Sequence, residues 1–565
     1  RAIEQHDDNA AAILGVYLVE TPKEDCHEEE RRHRGFLLLQ SSALEGNLED
    51  HLRIQAFFEL GHCYYYGIGT ETNIEEAYTW YARAAESGSE GAQYLAASLI
   101  LDKRCSETDT AKAIAWLRQA AEQGCMYSTM RLGECYLEGN VVPKDAEEAF
   151  QWFQKSAELG NPAAVNMVGR CYMDGNGVEQ DQEKAFQYFQ KASEAGDESA
   201  MFNLADCYFN GLGTEQSEEQ AVPWYQKAAE ANISIAQYML GTCYHFGKGV
   251  SPNEELALHW LRKAAEQDYV GAQYALGTLL FRNEDSGEND AEAVRWLERA
   301  AELGDIGSQV KLGVCYQDGY NVLEQGKVCF KEDMEKAVEL FQNAAEQGDA
   351  EGQFQLANSY RFGLGVKKNV PKMLYWLRLS AMQGYAEAQY ALGICYQDGI
   401  GVKADMEKAM DWYERSAAQN YPDAICSVGM YYLDEEDDVE TAKRLVYKAA
   451  QMDCPEAQYL MGMFLYEGDD SEEDEEAVAW FRMAARYQNH GGAMGMLGYC
   501  YMNGTGVEQD DEMARVWLKR AAECRDYDAI ELLKNYYMID DYDDFEYEDY
   551  GDEPEYDDED DDWED

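Results

Sequence analysis

The sequence predicts an all-α solenoid of about fourteen stacked helix-turn-helix units. Two observations carry that reading. A leucine-type residue, followed by glycine in most copies, recurs at Leu60, Ala96, Leu132, Val168, Leu204, Leu240, Leu276 and Leu312, 36 residues apart each time. Around it a set of small and aromatic positions keeps register, clearest in the run from Leu240 to Val250 followed by Ala257, Trp260, Ala264 and Ala265. A fixed period of this length marks units that bury their apolar faces only against their neighbours.

The elements follow in chain order. Residues 1–50 read as a degenerate first copy, with Leu14-Gly15 and Ser42-Ala43 in motif positions and a middle stretched by the charged run from Glu28 to Arg34. The regular copies occupy residues 51–525. Beyond Leu312 the motif returns at Leu356, Leu392, Val428, Met461 and Leu497, with an insertion around Asn321 to Lys331 and a shortened loop at Glu435 to Val439. Residues 526–538, around Leu533, form one more helix without a partner, the usual cover for the last apolar face of such a stack. Residues 539–565 are too acidic and too poor in aliphatic side chains to pack, and are expected to be disordered.

One copy shows how the chain encodes its two helices. Asn161 is a good N-cap and Pro162 suits the first helical position. Ala164, Val168, Cys171 and Tyr172 then return at the spacing of one buried helical face. Gly175-Asn176-Gly177 permits a sharp reversal, Asp181 caps a second helix burying Ala185, Tyr188, Phe189 and Ala192, and Gly196 ends it. Glycine in mid-helix costs about 1 kcal/mol relative to alanine. Its recurrence at Gly61, Gly133, Gly169, Gly241 and onward therefore implies close helix approach, with the recurrent tryptophans, Trp80 to Trp517, filling the space between pairs as core residues.

The pattern L-G-x-x-Y-x-x-G-x-G-V, then K-A-x-x-W-x-x-K-A-A-E-x-G, resembles the Sel1-like repeat family, relatives of the tetratricopeptide repeat. The resemblance covers roughly residues 10 to 538 and recurs in register. It implies a right-handed α-solenoid whose concave surface is lined by first helices and serves as a protein-binding scaffold. It names no partner, because function on a repeat scaffold lies in its variable surface residues. The glycine pair is lost at Gly139-Asn140-Val141 and Gly319-Tyr320-Asn321, which puts those loops in doubt.

Fifteen cysteines raise the question of compartment. Eight of them (Cys63, Cys135, Cys171, Cys207, Cys243, Cys315, Cys395 and Cys500) sit three residues after the motif leucine. Equivalent positions in adjacent copies stand on the order of 10 Å apart, beyond the ~7 Å reach of a disulfide between α-carbons. Secreted members of the family carry two cysteines per repeat, and this chain has one. The pattern favours reduced thiols and a cytoplasmic location. The chain opens on Arg1, which leaves room for a signal peptide before it, so a secreted or organelle-lumen adaptor is the alternative. No run of ~18 apolar residues is present to span a membrane.

Net charge is −64, of which the segment from Asp540 to Asp565 contributes 18 acidic residues and no basic ones. A broad nucleic-acid-binding face is excluded, because phosphate contacts need clustered Lys and Arg. The acidity permits attraction of a basic protein partner, and it equally serves to keep a long chain dissolved. Tyr542, Phe545, Tyr547, Tyr550, Tyr556 and Trp563 interleave the tail carboxylates. That tail either folds on a basic partner or solubilises the end.

No catalytic, cofactor or metal site is expected. Some relatives are linked to penicillin binding, which makes a hydrolase the remote alternative. Yet Ser308-Gln309-Val310-Lys311 is the only S-x-x-K, and no K-T-G or S-D-N accompanies it. The histidines lack H-E-x-x-H and any metal-ligand spacing with cysteine. The acidic clusters Asp434 to Asp438 and Asp469 to Glu476 lack the central glycine and spacing of a calcium loop.

Binding residues are sought on the first helices. Two positions before the motif leucine stand Phe58, Tyr94, Phe202, Tyr238, Tyr274, Phe354, Tyr390 and Tyr459. By resemblance to the tetratricopeptide arrangement these line the concave groove, where aromatics supply contact area at low entropy cost. Alternatively the rings pack against the preceding repeat. Glu134, Arg170, Asp206 and Asn358, each next to the motif glycine or its equivalent, should share that face and set its polarity.

Overall fold

The structure is a computed structural model that describes residues 8–20, 28–45, 48–281, 287–318, 323–324, 327–328, 333–434, 438–466, 471–486 and 490–537. These residues form 29 helices and one two-stranded antiparallel hairpin, in which Leu323 pairs with Val328 and Glu324 with Lys327. The hairpin lies within the insertion around Asn321 to Lys331, where no strand was expected. The expected tail lies outside the described residues. The chain forms two compact units, Arg1–Gln273 and Tyr274–Asp565. Within each, consecutive antiparallel helices pair and each pair packs on the next, a solenoid-like stack.

The copy 162–197 follows its sequence closely. Asn161 accepts a hydrogen bond from the Ala163 amide at 3.1 Å, and Pro162–Asp174 ends at Gly175 in the left-handed region, φ 72°. Asp181 accepts from the Lys184 amide at 3.0 Å and opens Gln182–Glu194. The N-terminal copy is also a helix pair, Asp8–Glu20 and Glu28–Glu45, and the charged run that stretches it forms the first turns of the second helix. The last helix, Tyr527–Tyr537, buries Ala529, Ile530 and Leu533.

Both glycine classes have a physical cause visible in the packing. A Cβ at Gly169 would fall 2.7 Å from Phe189, and one at Gly133 would fall 2.5 Å from Phe153. The mid-helix glycine therefore receives the side chain after the tryptophan position, a ring in these copies and a leucine at Gly241 and Gly277. That corrects the expected role of the tryptophans: Trp80, Trp116 and Trp260 are buried, but Trp152, Trp224, Trp296, Trp376, Trp412, Trp480 and Trp517 are only half-buried. Several lie under a cation on the same helix, as with Lys227 Nζ 3.8 Å from the Trp224 ring centre. Gly177, the second glycine of its loop, has φ 73°, and a Cβ there would fall 1.9 Å from the Ala146 carbonyl oxygen of the preceding copy. Left-handed geometry and backbone contact act there together.

A polar ladder joins copies along the stack. Buried Gln237 donates to the Ala229 carbonyl at 3.1 Å and accepts from Gln267 at 2.7 Å. Gln353 and Gln389 repeat the scheme with Ala345 and Gln383, and with Ala381 and Gln419. Each glutamine thus adds a second donor to a carbonyl at the end of the preceding second helix, which also accepts from a turn amide. The motif cysteines are buried, and burial pushes up thiols such as Cys63, to about 12, and Cys243, to about 11. They remain protonated packing groups.

Candidate protein-interaction surface

The eight first-helix aromatics share one environment. Phe58 lies 6.0 Å from Tyr81 and Phe202 5.9 Å from Tyr225, ring centre to ring centre, each against the second helix of its own copy. Tyr390 meets both Tyr413 at 5.6 Å and Tyr421 at 5.4 Å, and Tyr459 meets Phe481 at 6.0 Å and His490 at 5.0 Å. Tyr238 faces Tyr269 at 5.2 Å and Phe354 faces Tyr385 at 5.5 Å. The neighbouring copy is thus the following one, not the preceding one. Gly307 leaves room for Tyr274, whose ring would be 3.1 Å from a Cβ there. Seven of these rings are half-buried wedges, and Tyr274 is 37 % exposed.

Their polar neighbours differ in use. Asp206 accepts from Asn210 at 2.8 Å and from the Tyr225 hydroxyl at 3.5 Å, and burial raises its carboxyl above the usual range. Arg170 is exposed, with Nη1 3.8 Å from the Met167 sulfur. Asn358 is half-buried. Glu134 accepts from Arg131 at 3.0 Å.

Tyr94 and Glu134, from neighbouring copies, come together in a cleft of about 280 Å³. Glu90–Leu101 supplies Tyr94 and Ser98, with Asp102 as its C-cap, and Met126–Glu138 supplies Tyr127, Met130, Arg131 and Glu134. Tyr94 and Tyr127 stand 5.8 Å apart at 34°, and Tyr127 is 54 % exposed. Arg131 forms ion pairs with Asp102 and with Glu134. Burial would lower its pKa, but the hydrogen bond to Glu134 and the attraction of Asp102 outweigh it, and the guanidinium is held charged. Burial raises the Tyr94 hydroxyl. The charged lining is two carboxylates and one guanidinium, a net single negative charge.

Sequence reasoning missed Tyr127, Arg131 and Asp102. A signal was present: the column of Tyr127 holds Gly91, Ala163, Ser199, Ile235, Gly271, Gly307, Glu351 and Glu387 elsewhere, and Tyr127 is the one ring among them. A larger open hollow of about 800 Å³ lies between the loops around Asp181 and Gly213, away from these helices. Ser308 is fully buried and its hydroxyl donates to Asp305 at 2.6 Å, an N-terminal helix contact that leaves no path for an acyl donor, while Lys311 is exposed. Among the described residues no three His, Cys, Asp or Glu side chains cluster as a metal site, and no helix is long and apolar enough to cross a membrane. The acidic clusters at 434–438 and 469–476 fall largely outside the described side chains.

Paired helices stacked in register, with variable side chains on the first-helix face, define an all-α repeat protein of the scaffold class. The Sel1 repeat model matches twelve segments, 55–89, 92–125, 127–161, 162–197, 198–233, 234–269, 270–305, 306–349, 350–385, 386–421, 455–486 and 492–526. The chain belongs to the Sel1 repeat family, whose members are mostly non-enzymatic scaffolds of the kind that mediates protein interactions. The copy at 422–454, with its shortened loop, lies outside those matches yet folds as the pair Pro422–Asp434 and Val439–Ala450.

Among solved structures, the c5321 protective antigen of uropathogenic Escherichia coli, displaying an SLR fold, is 32 % identical, with a TM-score of 0.57 over 74 % of this chain and 91 % of that one. A Sel1 repeat protein from Oxalobacter formigenes is 30 % identical, covering 45 % of this chain and 96 % of that one with a TM-score of 0.40. No curated protein matches the chain.

Proposed function

We propose that this protein is a non-enzymatic interaction scaffold that holds an extended partner polypeptide along its first-helix faces, in a reducing compartment. The observation that supports the partner surface is the cleft between Tyr94 and Tyr127, where an aromatic ring is left exposed beside charged groups. Exposed rings on a rigid scaffold are the usual anchors of protein interfaces. Tyr274 adds a second exposed ring of the same ladder. The test is a benzophenone amino acid placed at Tyr127, at Tyr274, or at Tyr375, which is exposed on a second helix. Adducts with a partner are expected from Tyr127 and Tyr274 and not from Tyr375. Adducts from Tyr375 alone would overturn the reading.

The buried, protonated motif thiols support the reducing compartment. One observation favours the oxidising alternative: Cys426 and Cys454 lie together in one core cluster, Cys426 hydrogen-bonded to Cys454, whose thiol reaches Asp423 Oδ1 at 3.2 Å. Thiol titration of unreduced native protein separates the two compartments.

A further inference from the structure

We infer that the cleft between Tyr94 and Tyr127 receives one cationic side chain, arginine or lysine, of an extended polypeptide partner. The inference rests on the reading of the first-helix face as an interaction surface and names the chemistry of what that face takes. Size comes first. A volume of about 280 Å³ sits just under the range of pockets for drug-sized molecules, so it suits one long side chain and not a folded element.

Charge decides between a cation and an anion. Arg131 looks at first like an anion receptor, but it already pairs with Asp102 and Glu134. An incoming carboxylate or phosphate would have to displace both pairs and stand beside the two released carboxylates. A cation meets the net negative charge of the lining without breaking anything, because each carboxylate keeps acceptor capacity beyond one Arg131 hydrogen bond. The aromatic walls favour the same sign. Tyr127 keeps a ring face open to solvent, and ring faces attract ammonium and guanidinium groups. The chain uses that pairing elsewhere, with Lys227 over Trp224 and Lys263 Nζ 4.6 Å from the Trp260 ring centre. Apolar stems of Lys and Arg would lie along Met130, with the charge at the carboxylate end.

The experiment uses the full chain at physiological salt and fluorescein-labelled Gly-Ser peptides carrying three arginines, three lysines, or three norleucines at the same positions. Fluorescence anisotropy is expected to show binding of both cationic peptides and at least tenfold weaker binding of the norleucine peptide. Tyr127→Ala, which leaves net charge unchanged, is expected to weaken arginine-peptide binding by about fivefold or more, whereas Tyr375→Ala leaves it intact. Glu134→Gln is expected to weaken it as well. Circular dichroism confirms that each variant is folded. No binding of the arginine peptide by the wild-type chain, equal binding of the norleucine peptide, or wild-type affinity in Tyr127→Ala would each overturn the assignment. Any of these, with partner adducts still formed from position 127, defeats the cation assignment alone. Absence of first-helix adducts defeats the scaffold reading beneath it.

Discussion

Two stretches of the first unit use the same backbone to different ends. At Tyr238 the facing ring is Tyr269, the residue just before the next first helix, and both rings are half-buried. At Tyr94 the facing ring is Tyr127, one residue inside the next helix, and it stands 54 % exposed. Moving the second ring by two positions along the copy turns an inter-repeat packing contact into an open wall. Around Tyr238 the remaining contacts are structural, with Gln237 closing the ladder to Gln267. Around Tyr94 the same ladder runs through Gln93 and Gln123, and the addition is Arg131, paired with Asp102 of the preceding copy and with Glu134.

That contrast separates positions that hold copies together from positions that leave them free to act, and substitutions should sort accordingly. The largest effect is expected from Gly177→Ala, which combines a left-handed backbone with contact against the Ala146 carbonyl. We expect a loss of about 3 kcal/mol or more, read by denaturant unfolding and by lost amide protection in Pro162–Asp174. Gly213→Ala, whose Cβ would fall 2.0 Å from the Gln182 carbonyl oxygen, should match it if the copies are equivalent. Gln237→Leu removes the hydrogen bonds to the Ala229 carbonyl and from Gln267, both of which keep other partners, and should cost about 0.5–1.5 kcal/mol. Measuring it beside Gln389→Leu, in the second unit, shows whether the ladder contributes alike in both.

A smaller effect concerns pH. Glu59 is buried, and burial first, then the charge of Glu20, raise its pKa from 4.5 to about 7. The His62 imidazole and Cys63 thiol stand on the same helix, His62 lowered by burial and Cys63 raised. Because the folded state holds the Glu59 proton more tightly than the unfolded chain, its stabilising contribution is complete below about pH 4.5 and is lost as pH rises to about 7. Glu59→Gln should flatten that part of the stability profile, and an unchanged profile would contradict the burial. Smallest is the thiol count. Reducing-compartment protein should titrate all fifteen cysteines after denaturation without reductant, and a deficit of two that maps to Cys426 and Cys454 would favour the oxidising alternative.

Much of the fold was legible because periodicity makes columns equivalent. Asn161, Gly175 and Asp181 mark helix ends in the sequence and do so in the structure. Periodicity does not say which columns touch. The tryptophans read as core and are mostly half-buried, because the residue after each one, such as Phe153 or Phe481, reaches the glycine instead. The recurrent glutamines were visible as letters, but their partners lie about 30 residues away and one helix over. Tyr94 and Glu134 were legible as surface candidates. Their convergence with Tyr127 and Arg131 was not, since it depends on how two copies face each other.

The most direct measurement compares Tyr127→Ala with Tyr238→Ala, each assayed for unfolding and for arginine-peptide binding. Tyr127→Ala should keep near wild-type stability and lose binding about fivefold or more. Tyr238→Ala, which removes a half-buried ring, should lose about 1–2 kcal/mol of stability and bind normally under folded conditions. If both variants lose stability alike and neither loses binding, the two stretches do not differ in use and the division between packing and acting positions is contradicted.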